Sequence, residues 1–150
     1  MISHAKSKLF RSLDRKKSRE AHGLFPVEGE KMVLEIMKEG HRSGHGIQDL
    51  FATPEWIRDH RTVIDTSGVS LHEGDEKEIR KLSRQVNPQG VLGMARIPVQ
   101  DQDPPPLEGE ALLAFGSVRE PGNPGTIIRA AVGFGFRHIL CTPDSVDLYN

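Results

Sequence analysis

The stretch from Pro98 to Gly109, PVQDQDPPPLEG, constrains what this 150-residue chain can fold into more than any other. Pro104, Pro105 and Pro106 fix three successive φ angles and remove three backbone donors, while Asp101, Asp103, Glu108 and the adjoining Glu110 add only negative charge. Such a segment buries almost nothing and favours an extended, fairly stiff linker. The length admits one ordinary domain or two small ones, and this break selects two. The expected division is residues 1–98, a linker at 99–109, and residues 110–150. No apolar run approaches the roughly 18 residues of a membrane helix, and MISHAKSKLF lacks a secretory apolar core, so no membrane and a cytoplasmic location are expected. A single cysteine, Cys141, rules out an internal disulfide.

The net charge of −1 conceals an uneven distribution. Residues 1–25 carry Lys6, Lys8, Arg11, Arg15, Lys16, Lys17 and Arg19 against Asp14 and Glu20, whereas 101–110 carry four acids and no base. A basic front end is where a polyanionic partner would dock, each cation neutralising a phosphate. The alternative is an ordinary solvated basic face, and charge alone leaves the two even.

Ala5, Leu9 and Leu13 recur at i, i+4 and i+8 with Phe10 beside them, predicting one helix from His4 to about Glu20. Leu24–Glu28 reads as a short strand. The helix predicted next, Glu30 to Glu39, has Val33, Ile36 and Met37 inward and Gly40 as its C-cap, followed by a polar loop over 41–46. IQDLFAT (47–53) is the next strand, and Pro54 opens a short helix. A weak strand at Val63-Ile64 precedes a capping pair, Asp75 with Glu78, and a helix bearing Ile79, Leu82 and Val86. QGVLGMARI (89–97) is a further strand. Strands alternating with helices predict a layered α/β unit with a largely parallel sheet. Past the break, Ala111–Phe115 reads as a strand covered on both faces, followed by a helix from Pro124 to Phe134 and a strand at His138–Cys141.

The chemistry concentrates in Glu120-Pro121-Gly122-Asn123-Pro124-Gly125-Thr126-Ile127-Ile128-Arg129. This segment joins the carboxyl end of a strand to a helix, where open α/β sheets bind ligands. Asn123 suits an N-cap and Pro124 the first helical position. Gly122 and Gly125 strip side chains from the turn, and Arg129, on the face of Gly125 and Thr126, leans back over an anion-favouring helix start. Pro and Gly are also common structural punctuation, and from spacing alone that plainer reading is the more economical.

The segment GSVREPGNPGTIIRAAVGFGFRHILCTPDSVDLYN resembles the first conserved motif of the SpoU/TrmH family of SPOUT RNA methyltransferases, D/E-PGN-x-G-x-I-x-R-T/A-A-x-x-FG. SREAHGLFPVEGEKMVLEIMKEG and VNPQGVLGMARIP resemble the family's N-terminal substrate-binding domain, similar to small ribosomal proteins. The resemblance implies an α/β substrate-binding domain followed by the start of a trefoil-knot methyltransferase domain, with the knot not included. It implies methyl transfer from S-adenosylmethionine to a ribose 2′-hydroxyl of structured RNA, ribosomal RNA foremost. Asn123 and Arg129 are then the catalytic pair, and Glu120, Gly122 and Gly125 shape the motif turn. The seven N-terminal cations bind RNA, and the full-length enzyme is a homodimer. The later motifs that tie the knot and contact S-adenosylmethionine have no counterpart, so the expectation is a chain inactive alone, with no cofactor-binding residue. His4-Ala5 stands where the family frequently has Asn-Pro.

The competing readings are a non-catalytic RNA-binding module and, more weakly, a general α/β protein with phosphate at the Asn123 turn. No metal site is expected, since the glycines around His41 and His45 argue against the helix that would align them. Cys141, Met32 and Met37 are read as core and Trp56 as a packing anchor.

Overall fold

The computed structural model describes residues 1–43, 46–98, 109, 111–118, 120, 122–142 and 144–149, with side chains of 41–43 left aside. The chain divides into two compact units, Met1–Pro98 and Val99–Asn150. The expected linker falls almost wholly outside the described residues, as does His45.

In the first unit the basic N-terminus forms two helices, α1 (His4–Ser12) and α2 (Lys16–His22), rather than the expected one. The break has a physical cause in Arg19. This side chain is buried to 3% exposure, and its Nη1 donates to the carbonyls of Leu13 (2.6 Å) and Asp14 (3.0 Å), groups that a continuous helix would have engaged itself. The inward face of α1 is also rotated from expectation. Ile2, Phe10 and Leu13 are buried, whereas Ala5 is exposed.

β1 (Leu24–Glu28) leads into α3 (Glu30–Ser43), which runs through Gly40 instead of stopping there, so that positions 41–43 of the expected loop are helical. Gly40 is required by close approach: a Cβ there would overlap the Cα of Gly46 as the chain returns into β2 (Ile47–Ala52). α4 (Pro54–Asp59) begins at the expected proline, with Thr53 Oγ1 accepting from Trp56 N. Val63 and Ile64 lie in a helix, α5 (Arg61–Ser67), not a strand; β3 is Ser70–Glu73. Asp75 and Glu78 form the anticipated reciprocal capping box at the start of α6 (Glu76–Leu82). That helix ends before Val86, which is 89% exposed. β4 (Val91–Arg96) completes the unit.

The sheet has the order β1-β4-β2-β3, with β4 antiparallel to both β1 and β2 and only β2–β3 parallel, so the expected parallel sheet is corrected to a mixed one. The reason lies after α6. No second crossover carries the chain back across the sheet; it stays at the end where Gly90 O accepts from Thr53 N (2.9 Å) and enters β4 from there. Alternation along β4 then divides the core in two. Val91 and Ala95 join Val33, Met37, Trp56, Ile57 and Ile64 under α3, α4 and α5. Leu92 and Met94 join Ile2, Phe10, Leu13, Ile79 and Leu82 under α1 and α6, with Phe51 at 0% exposure between them. Met37 is core as expected, but Met32 is 48% exposed.

The second unit is β5 (Leu112–Phe115), α7 (Gly122–Gly133) and β6 (His138–Cys141), a parallel pair with one crossover helix. β5 was expected to be covered on both faces, and its residues alternate between exposed and half-buried instead. Cys141, expected in the core, is exposed. Two strands and one helix cannot cover both faces of a sheet.

Candidate active site and nucleic-acid interface

The Asn123 turn stands where β5 ends. Ser117 leaves that strand in the left-handed region (φ 56°), which a side chain tolerates only at a cost of order 1–2 kcal/mol. Its backbone N–H donates to Thr142 Oγ1 (3.0 Å) and its hydroxyl to Asp144 Oδ2 (2.5 Å), tying the exit of β5 to the exit of β6. Hydrogen bonds from Ser117 first and Thr142 second hold the Asp144 carboxyl below its ordinary range. This tether carries no motif pattern and was not legible in the sequence; a serine just past an apolar strand is its only trace.

Beyond it, Asn123 N donates to Glu120 O (3.0 Å), and Asn123 Nδ2 reaches Glu120 Oε2 at 3.5 Å. Helix α7 begins at Gly122, so Asn123 and Pro124 occupy the first turn instead of the expected cap and first position. Pro124 is still accommodated, because the first four helical N–H groups lack intrahelical partners. Thr126 Oγ1 closes the turn on Gly122 O (3.0 Å). Arg129 is exposed, and its guanidinium lies back over the helix start: a Cβ on Gly125 would stand 3.8 Å from Nη1. The turn thus presents a cation and a helix N-terminus, suited to an anion or a developing negative charge, with the Asn123 amide turned toward the Glu120 carboxylate.

A hollow of about 280 Å³ in this unit, lined by Ala111 and Phe134–Arg137, lies at the opposite end of the strands from Arg129. Among the described residues no group of three or more His, Cys, Asp or Glu side chains could hold a metal ion.

In the first unit the seven expected phosphate-binding cations separate. Lys8, Arg11, Arg15, Lys16 and Lys17 are exposed. Arg19 is a correction: its guanidinium is committed inward to two carbonyls. Lys6 is half-withdrawn, its ammonium 2.5 Å from Oδ1 of the fully buried Asp49, which His72 Nε2 also reaches at 2.7 Å. Burial pushes the Asp49 carboxyl up, but hydrogen bonds from Lys6, His72 and Gln48 and the Lys6 charge outweigh it and leave it below its usual value. A lone acid among the apolar residues of IQDLFAT was the available signal, since a buried carboxylate demands partners. Trp56 is buried as expected, its indole N–H donating to Glu30 Oε2 (2.8 Å) and its ring stacked on His60 at 4.2 Å.

A helix-clad mixed sheet followed by a βαβ pair is a fold that solved methyltransferase structures share. Residues 5–93 match the MRM3-like substrate binding domain, and the chain belongs to that family. It is similar to the human mitochondrial rRNA methyltransferase 3, 31% identical over 140 residues that cover 87% of this chain and 31% of that protein. A tRNA/rRNA methyltransferase of Synechocystis, itself uncharacterized, is 27% identical over 143 residues, 93% of this chain and 50% of the other. Among solved structures, an AdoMet-bound rRNA methyltransferase from Sinorhizobium meliloti superposes with a TM-score of 0.78 at 29% identity, covering 99% of this chain and 55% of that one. A SpoU methyltransferase from Streptomyces viridochromogenes shares the fold at 0.78 with 20% identity. The chain therefore spans about a third to a half of the length of these relatives.

Proposed function

We propose that this chain is the RNA-holding unit and active-site turn of a methyltransferase that moves a methyl group from S-adenosylmethionine to a ribose 2′-hydroxyl, in ribosomal RNA foremost. The observation that carries the reading is the Arg129 guanidinium lying back over Gly125 in the opening turns of α7. A guanidinium stays protonated at any ordinary pH and is a poor base. Arg129 instead holds the phosphate beside the target nucleotide and stabilises the negative charge that develops on the 2′-oxygen as it bonds to the methyl carbon and gives up its proton to water. Asn123 and Glu120 shape the turn that aims it, and Gly122 and Gly125 let the RNA backbone approach. S-adenosylmethionine supplies the methyl group, and no residue described here is assigned to hold it. The cytoplasmic location and the homodimer belong to the same proposal.

The exposed cations Lys8, Arg11, Arg15, Lys16 and Lys17 favour a second, narrower reading of the isolated chain as an RNA-binding module without turnover. One experiment separates the two: labelled S-adenosylmethionine and ribosomal RNA are given to this chain and to a protein that joins it to the region its relatives share. Transfer by the longer protein only, lost in Arg129→Ala, supports the enzyme reading. Full transfer by the Arg129→Ala protein at saturating RNA sinks the role of Arg129.

A further inference from the structure

The two faces of the four-stranded sheet differ in charge. The helices on one side, α1 and α6 with α2 attached to the end of α1, carry nine Lys and Arg against three Glu. Those on the other side, α3, α4 and α5, carry five against six acids. The excess is not confined to the N-terminus. Arg11 Nη2 donates to the carbonyl of Lys81 (3.2 Å), which sets the outer surface of α1 directly beside α6. On α6, Ile79 and Leu82 turn inward, so Lys77 and Lys81, one turn apart at about 6 Å, share the outward side. Both are exposed.

We infer that Lys77 and Lys81 extend the N-terminal basic helix into one RNA-phosphate-binding surface with Lys8, Arg11 and Arg15. The inference rests on the RNA reading above and names residues of α6 that the basic run at the N-terminus does not include. Most acids on this side are already occupied, Glu76 alone among those of α1, α2 and α6 standing exposed outside any pair or cap. Asp14 pairs with Arg84 (3.4 Å), Glu20 with Lys16 (3.9 Å), and Glu78 closes the capping box. Arg11 spends one N–H on Lys81 and keeps the rest of its five-donor fork for an anion. A lipid surface fits poorly. Membrane-lying helices bury an apolar face in the bilayer, and the apolar residues of this side, Phe10, Leu13, Ile79 and Leu82, are spent in the core. A polyanion with hard phosphates matches what remains.

The test titrates the whole 150-residue chain into a fluorescent ribosomal RNA hairpin at several salt concentrations. Lys77→Gln/Lys81→Gln is compared with Lys31→Gln/Lys38→Gln, two exposed lysines on α3 of the opposite face. Removing two phosphate contacts lowers the salt slope by about 1.4–1.8 and the affinity about tenfold, and the α3 pair stays within about twofold of the parent. Thermal melting of both variants guards against misfolding; if the α6 pair melts early, Lys77→Gln alone must lower the slope by about half as much. If the parent binds and the α6 pair matches it, or if both pairs weaken binding equally, the composite surface is wrong while the RNA reading stands. If the parent shows no salt-dependent binding at all, the RNA reading of this unit fails and the inference with it.

Discussion

The two units spend their apolar residues differently. In Met1–Pro98 every strand contributes to one of two cores, and Leu13, Leu50, Phe51, Val91 and Met94 are all at 0% exposure. In Val99–Asn150 the sequence is at least as apolar along its strands, yet Phe134 is 83%, Val132 64% and Leu140 54% exposed. The first unit holds its fold by its own burial. The second carries more hydrophobicity than its described residues can cover, and what it organises instead is polar: the Ser117–Asp144 tether and the turn that aims Arg129.

That contrast is broken most easily from its strong side. Phe51, packed edge-on against Phe10 at 5.6 Å and stacked on His72 at 5.1 Å, is the largest fully buried side chain. Phe51→Ala should cost about 3–5 kcal/mol, measured by denaturant unfolding of the first unit's transition, whereas Phe134→Ala should cost under about 0.5 kcal/mol. Equal losses would erase the distinction between the units.

Asp49 gives the next effect. Asp49→Asn should destabilise by about 2 kcal/mol, below the roughly 3–5 of a fully buried pair, because Lys6 is one-third exposed and can turn to water. The pH dependence has a definite sign. A depressed carboxylate stabilises the fold above its unfolded pKa of about 3.9 and loses that contribution as pH falls through its lower folded value. Acid unfolding curves of the parent should therefore steepen below about pH 4, and Asp49→Asn should remove that part of the slope. A smaller effect sharpens the picture of α6: Asp75→Ala opens the capping box and should cost about 1 kcal/mol, read as a lower melting temperature without a change in the second unit.

Local punctuation made much of this fold legible. The strand at Leu24–Glu28, the Pro54 helix start and the Asp75–Glu78 box were each encoded within a few residues, and each stands where expected. What escaped was set by partners distant in the chain. The insertion of β4 between β1 and β2 depends on where the chain goes after α6, which periodicity does not report. Gly40 reads as a helix stop until Gly46 is seen against it. Arg19 belongs to a run of cations that composition assigns to solvent, and the inward hydrogen bonds it donates to the carbonyls of Leu13 and Asp14 are not reported by any local pattern. In the candidate site, the backward reach of Arg129 follows from helical spacing alone. The left-handed Ser117 that precedes the turn does not, since its support comes from Thr142 and Asp144, just past the end of β6.

The central claim is a division of labour, with RNA held by the first unit and the reacting hydroxyl served by the turn of the second. It is tested most directly by Arg129→Ala in a protein that joins this chain to the region its relatives share, with RNA affinity and single-turnover methyl transfer measured on the same preparation. Arg129 is exposed and touches one anion in this account, so affinity should stay within about threefold and the fold should be unchanged, while transfer falls by about 100-fold or more. Transfer at the parent rate under saturating RNA, or an affinity that collapses in step with transfer, would contradict the account.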